Sequence, residues 1–457
     1  MSDTRTQVMS VSGHVKAIAI LGLPLIGGHV AQFAIGLTDT LMLGWYGAPS
    51  LAAVTLASTY FFSLFLLGAG FGFAVMPLVA AAAGAGEERQ IRRTTRMGIW
   101  WSLIFSVLVM PLLWWSEPIL LLLGQEAATA ETASFYLRIA GWGIIPALLV
   151  MTLKSYLAAL EKTQIVLWIT LMAALVNAVV NYALIFGNWG FPELGVAGAA
   201  IASITTQAVS LVAVLAYALK VLPEHELLKN FWRPDPEVFR RVLRLGLPIG
   251  LTNLSETSLF AAAAVMMGWL GTIPLAAHGI AASMGGLTFM VHLGLSNAAT
   301  IRAGNALGRG DRAHLARGTK VVTAMSLATS VVAIAVFLLM PATLITAFLD
   351  PGEPRKDEII AIGTGLLVVA ALFQLVDGLQ AIALGVLRGV QDTAAPMVIA
   401  GISYWALGIP ISYVLGFVFG WGGIGVWLGL VTGLGAAAVL LMLRFWRRGV
   451  QMVPEAA

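Results

Sequence analysis

The sequence predicts an all-α integral membrane protein: twelve transmembrane helices in two six-helix bundles, related by a pseudo-two-fold axis along the membrane normal, with a central cleft. Three observations carry this prediction. Of the 457 residues, 59% are hydrophobic and only 11% charged, with mean hydropathy +0.91, whereas soluble domains carry about 25% charged residues. Lys and Arg distribute asymmetrically between alternate loops. The first half of the chain repeats in the second at an offset of 224 residues.

The elements follow in chain order. Ala17 to Gly86 is a run of seventy residues whose only formal charge is Asp39, and at about 20 residues per bilayer crossing it holds two helices joined at "WYGAPS". Charged or Pro/Gly breaks then delimit the rest. The predicted spans are 15–44, 50–80, 96–116, 133–156, 164–187, 195–219, 241–268, 274–303, 321–347, 359–386, 396–418 and 424–445.

With the N-terminus in the cytoplasm, 23 of the 26 Lys and Arg residues fall on that side, Arg5 among them, and only Arg138, Arg355 and Lys356 fall outside. One missed or invented span in the middle would destroy this bias. Both termini are therefore expected in the cytoplasm and the protein in the cell inner (plasma) membrane. The pI of about 9.4 reflects basic loops rather than a nucleic-acid patch. The polar start "MSDTRTQVMSVSGHVK" and the length of the apolar stretch after it do not read as a signal peptide. With no cysteine, disulfides and thiolate metal sites are excluded.

The repeat sets the architecture. Without a gap, Gly22-Leu23-Pro24 pairs with Gly246-Leu247-Pro248, Gly44-Trp45 and Gly47 with Gly268-Trp269 and Gly271, and Leu51-Ala52-Ala53 with Leu275-Ala276-Ala277. The loop Gly84-Ala-Gly86-Glu87 pairs with Gly308-Arg-Gly310-Asp311. Further on, "YLAALEKTQIVLW" is similar to "VLRGVQDTAAPMV". Such self-similarity marks a duplication. Six spans per half give both halves one orientation, and a ligand site is expected between such repeats. The expected layout is an N-terminal segment 1–14, an N-lobe 15–219, a linker 220–240, a C-lobe 241–446 and a tail 447–457.

Nineteen of the 22 acids fall in loops or termini, Asp3, Asp350, Glu353 and Glu455 among them, and Asp39, Glu256 and Asp377 remain inside spans. A charge at bilayer depth costs about 2.5 kcal/mol or more, so intramembrane acids read as functional by default, although a protonated acid in a helix contact is the plain alternative. Thr252, Asn253 and Phe260 share the helix face of Glu256, and Phe373, Gln374 and Gln380 that of Asp377. Oxygen ligands suit a small cation or a proton, and aromatic faces suit an organic cation. Asn177 and Asn181 lie four apart on the fifth span, a spacing that equally serves helix–helix hydrogen bonding.

Three further features read as packing. "GWGGIG", Gly420 to Gly425, matches a dinucleotide pattern but joins two membrane helices. His29, His278 and His292 could relay protons and are as readily packed polar groups. Met266, Met267 and most of the fourteen tryptophans fill the interior or anchor the interface, with Trp45, Trp114, Trp115, Trp189, Trp269 and Trp421 at outer ends. No phosphate loop, His-Glu-x2-His or Gly-x-Ser-x-Gly sequence is present, which removes support for ATP-driven transport and the familiar hydrolases.

The paired Gly-Leu-Pro spans, Asp39, "LRGVQDTAAPM", "GNALGRGD" and the six-plus-six layout together resemble the multidrug and toxic compound extrusion (MATE) family over residues 15–446. The resemblance implies a non-enzymatic secondary antiporter that exports hydrophobic or cationic compounds for inward Na+ or H+, without a cofactor or nucleic acid, as a monomer in the bilayer. It places an N-lobe cation site at Asp39 with the polar fifth-span residues. Acids on the seventh and tenth spans mark the NorM-like branch, and Glu256 and Asp377 match them as the coupling-cation site, the Na+ ligands if sodium is the ion. Asn177, Asn181, Asn253 and Gln374 are candidate polar ligands, and Phe260, Phe373 and Gln380 candidate substrate contacts. The alternative within the wider superfamily is a flippase of lipid-linked saccharides, which calls for a basic cleft, and the predicted spans hold no convincing Lys or Arg. A membrane enzyme and a channel lack, respectively, a catalytic constellation and a reason for the duplication.

Overall fold

A computed structural model describes residues 9–349 and 354–454. Asp3, Arg5, Asp350, Glu353 and Glu455 lie outside the described residues, as do most of segment 1–14 and the end of the tail. Among the described residues, twelve helices are long and apolar enough to cross a membrane: α1 (Val11–Tyr46), α2 (Pro49–Gly84), α3 (Glu88–Trp114), α4 (Ala127–Ala159), α5 (Thr163–Phe186), α6 (Gly195–Val221), α7 (Pro236–Leu270), α8 (Thr272–Arg309), α9 (Arg312–Leu339), α10 (Lys356–Gly389), α11 (Ala394–Val418) and α12 (Gly422–Met452). Each overlaps one predicted apolar window.

The helices overrun those windows where charged residues continue them. The third begins at Glu88 rather than 96, because Glu, Arg and Gln are good helix formers and the sequence there holds no breaker. The ninth ends at Leu339 rather than 347. Pro341 cannot continue the i→i−4 ladder, so Met340 leaves helical geometry and Pro341–Thr346 forms a separate short helix. The equivalent piece of the first half is the short helix Ser116–Leu122 after α3.

The repeat is visible in backbone detail. Gly86 and Gly310, 224 residues apart, have φ of 72° and 68°, the left-handed conformation that glycine adopts without a Cβ penalty at helix ends. After Gly310, Asp311 caps α9 by accepting a hydrogen bond from the His314 N–H at 2.8 Å. "GWGGIG" is a turn, with φ of 73° at Gly420 and 58° at Gly422, and Gly425 packs against the Leu415 and Gly416 backbone.

The chain divides into two compact units, Gly27–Leu251 and Met1–Ile26 with Thr252–Ala457. We call them the N-unit and the C-unit. The first halves of α1 and α7 thus belong to the unit built by the opposite half of the sequence. Both divisions fall within a turn of a proline, Pro24 in α1 and Pro248 in α7. Within the N-unit, Gly70 of α2 meets Gly246 and Gly250 of α7 backbone to backbone. Within the C-unit, Gly294 of α8 meets Ile26 of α1, which is the same contact moved by the repeat offset.

The core of the N-unit includes a stack of Phe71 on Trp101 and Trp101 on Phe239, with ring centroids 4.9 and 4.3 Å apart. Residues between α6 and α7 are tied to α3 and α4. Arg93 pairs with Asp235 through Nε and Nη2 at 2.5 and 3.0 Å, holding the Asp235 carboxyl below the usual carboxylate range. His225 Nδ1 lies 2.6 Å from the Tyr156 hydroxyl, and burial pushes its pKa down.

Candidate functional site

In the N-unit the polar group lies between α1 and α5. Asn181 donates from Nδ2 to Asp39 Oδ1 at 2.5 Å and to Asn177 Oδ1 at 3.2 Å. The two asparagines stand one helical turn apart on α5, and both are buried. Asn181 Oδ1 has no hydrogen-bond partner in the unit. Three predicted residues are thus brought together, and a carboxylate oxygen and an amide oxygen are left able to accept.

The C-unit group is built by α7, α10 and α11. Glu256 of α7 accepts from Gln380 Nε2 of α10 at 3.4 Å, and the same amide donates to the Tyr404 hydroxyl of α11 at 2.5 Å. Asp377 lies three residues before Gln380 on α10, is 1% exposed, and among the described residues neither of its oxygens has a hydrogen-bond partner. The Glu256 charge acts on Asp377 electrostatically, and two like charges in one buried site are unfavourable unless a positive group enters or one is neutralised. Gln380 Oε1 is also without a hydrogen-bond partner among the described residues.

Two expected ligands are otherwise engaged. Gln374 accepts at Oε1 from Thr288 of α8 at 2.7 Å, and only its Nε2 is left over, a donor that cannot ligate a cation. Asn253 Oδ1 accepts from Arg388 Nη2 at 2.8 Å. Phe260 and Phe373 do meet, with centroids 5.9 Å apart at 72°, and Phe373 meets Trp427 at 5.8 Å.

Arg388 corrects the expectation that the spans hold no convincing Lys or Arg. It lies on α10, one residue before its end, and acts electrostatically on Glu256. Lys154, counted on the cytoplasmic side by sequence although the predicted span 133–156 includes it, lies within α4. At Arg388 the helix runs past the apolar window 359–386. Tyr404 escapes sequence reasoning for another reason: it is one tyrosine among several aromatics in "ISYWALGIPISYV", and a π-helical turn, Ile402–Gly408, presents it. Such turns are frequent at functional sites, but apolar periodicity does not reveal them.

His278 and His292 are packed polar groups. His278 accepts from Trp427 Nε1 at 3.1 Å, and His292 lies between Ser326 at 3.0 Å and Ser330 at 3.5 Å. Met266 and Met267 are buried, and the six outer tryptophans are exposed. No group of three or more His, Asp or Glu side chains gathers as a metal centre among the described residues.

A duplicated set of six spanning helices, with acids held inside the spans of both units, is the architecture of a membrane transporter. The chain belongs to the MatE family, whose profile matches residues 24–183 and 248–414. A relative named probable multidrug resistance protein NorM from Rhizobium meliloti is 44% identical over 448 residues, covering 97% of this chain and 96% of the relative. A second of that name, from Agrobacterium fabrum, is 42% identical over 434 residues, 94% and 93% of the two chains. The NorM-like resemblance is borne out by these relatives.

The fold matches solved structures at lower identity. One of MATE in the straight conformation aligns at TM-score 0.86 and 21% identity, covering 96% and 97% of the two chains. A MOP superfamily transporter from Pyrococcus furiosus aligns at 0.85 and 21%, covering 99% of each.

Proposed function

We propose that the protein is a multidrug efflux antiporter of the inner (plasma) membrane, with both termini cytoplasmic, acting as a monomer by alternating access. It exports hydrophobic and cationic compounds in exchange for inward Na+ or H+. The observation that carries this reading is Asp377, a buried carboxylate with no hydrogen-bond partner among the described residues, under the electrostatic influence of a second acid, Glu256. A proton on one of them, or a small cation between them, relieves the repulsion. The Gln380 Oε1 atom and the Tyr404 oxygen add neutral oxygen ligands, a set that suits a hard monovalent cation.

An organic cation competes for the same charge, or favours the opposite conformation, so each ion promotes release of the other. Phe260 and Phe373 supply aromatic surface for the organic cation. Asp39 with Asn177 and Asn181 forms a second cation or substrate site. A potential of 100 mV contributes about 2.3 kcal/mol per charge moved inward, roughly fifty-fold in concentration. The flippase alternative draws less support, because the C-unit group carries two acids and one arginine and so favours cations over a pyrophosphate.

The test is dye efflux from sealed vesicles under separate Na+ and pH gradients. Glu256→Gln is expected to abolish ion-coupled efflux while the protein remains in the membrane. Full coupling in that variant would overturn the assignment, and the gradient that drives the wild type identifies the ion.

A further inference from the structure

We infer that the C-unit holds a binding position for the headgroup of an anionic phospholipid, built from Arg317 and Lys320 of α9 and Trp446, Arg447 and Arg448 of α12. The inference goes beyond the export reading and does not depend on it.

The repeat exposes the position. Arg93 and Arg96 of α3 stand 224 residues before Arg317 and Lys320 of α9. In the N-unit the protein itself meets both cations. Arg93 pairs with Asp235 and with Glu237 Oε2 at 3.2 Å, and Arg96 donates from Nη1 to the Asn230 carbonyl at 2.7 Å. In the C-unit Arg317 and Lys320 are exposed, and among the described residues no carboxylate pairs with either. Duplication has kept two cations and left one set without its acid, which a ligand can supply.

The end of α12 adds to the same spot. Its turn Phe445–Gly449 is π-helical, burying Phe445 while Trp446, Arg447 and Arg448 are all exposed. Lys320 Nζ stands 5.8 Å from the centre of the Trp446 ring, and Arg312 Nε donates to the Val450 carbonyl at 3.0 Å. The start of α9 and the end of α12 are therefore in contact. Helical side chains lean toward the helix N-terminus, which carries the Lys320 ammonium toward the start of α9. Its cation–π contact leaves three N–H donors to spend.

The acids nearby are already engaged. Asp392 takes Arg444 Nε and Nη2 at 2.6 and 3.1 Å, and Asp311 accepts from the backbone at the start of α9. Among the described residues, Arg447 and Arg448 also have no carboxylate in an ion pair.

Both helices carry apolar surface up to these cations. Ala324, Ala328 and Val331 share the exposed face of α9 with Arg317 and Lys320 at spacings of three and four, and Val439 and Leu443 share that of α12 with Trp446 and Arg447. Cations that close two outward apolar stripes, with a tryptophan at their junction, match a phosphate carried on acyl chains. A soluble phosphate would use the cations and leave the stripes idle.

The test is native mass spectrometry of the purified full-length protein titrated with cardiolipin, phosphatidylglycerol or phosphatidylcholine. The wild type is expected to retain the two anionic lipids about tenfold more strongly than phosphatidylcholine. Lys320→Gln with Arg447→Gln and Arg448→Gln should remove that preference, while retention of phosphatidylcholine, which reports an intact apolar surface, stays unchanged. Lys320→Arg with Arg447→Lys and Arg448→Lys keeps the charge and should keep the preference. Arg89→Gln with Lys162→Gln and Arg240→Gln removes three exposed cations of the N-unit and should also keep it. The inference is overturned if the preference survives loss of the three C-unit charges, if the charge-conserving variant loses it, or if the N-unit variant loses it equally. Displacement of bound phosphatidylglycerol by excess glycerol phosphate would overturn the assignment to lipid and make the position a site for soluble phosphate.

Discussion

At the scale of single residues, the charge balance of the C-unit turns on Arg388. It hydrogen-bonds Asn253 at 2.8 Å and stabilises Glu256 electrostatically. Arg388 and Glu256 are part-buried and interact through space rather than as a contact ion pair; removing one charge leaves the other without its counter-charge, whereas removing both is milder. Arg388→Met alone is therefore expected to lower the thermal midpoint of the purified protein sharply, and Arg388→Met combined with Glu256→Gln to recover most of the loss. The coupling in that cycle should be about 1–3 kcal/mol; additive effects would show that the two side chains do not communicate. The three acids are legible from sequence because each is the one formal charge in a long apolar run, 17–86, 245–301 and 359–387. Arg388 is not, because a cation at the edge of an apolar window reads the same whether it faces water or folds back toward the protein.

At the scale of elements, the repeat specifies which backbones touch. Gly70 lies against Gly246 and Gly250, and any Cβ there would collide with the Gly246 carbonyl oxygen. Backbone cannot yield as a side-chain tip can. Gly70→Ala is expected to destabilise by about 1–3 kcal/mol through overpacking. Gly36 on α1 has open space where a Cβ would stand, with nothing within 4 Å, so Gly36→Ala should be neutral or stabilising by up to about 1 kcal/mol through helix propensity. Thermal denaturation of the two variants in one detergent checks the contrast, and similar losses at both positions would refute it. The paired glycines are visible in the sequence as part of the duplication. Their contacts are not, since an offset reports which segments are equivalent and not what each one packs against. Hydropathy locates every span, yet it misjudges the ends of α3 and α9, where helix propensity and Pro341 decide.

At the scale of the whole molecule, duplication has produced two units with a common frame and different charge chemistry. In the N-unit, Asp39 is already hydrogen-bonded by Asn181. In the C-unit, Asp377 is 1% exposed, with no hydrogen-bond partner on either oxygen among the described residues. A ligand that binds only the native state stabilises it by about 2.7 kcal/mol at a hundred times its dissociation constant, and the gain is greatest where the empty site is most strained. The coupling ion should therefore stabilise the protein mainly through Asp377. Thermal midpoints in sodium against choline at constant ionic strength, and at pH 8 against pH 6, should show a shift with one ion. Asp377→Asn should abolish that shift and raise the ion-free midpoint, because an unpartnered buried carboxylate has been replaced by a neutral amide. Asp39→Asn should keep most of the shift. If Asp39→Asn removes it and Asp377→Asn does not, the coupling ion sits in the N-unit, and the acids of the C-unit serve the exported compound instead.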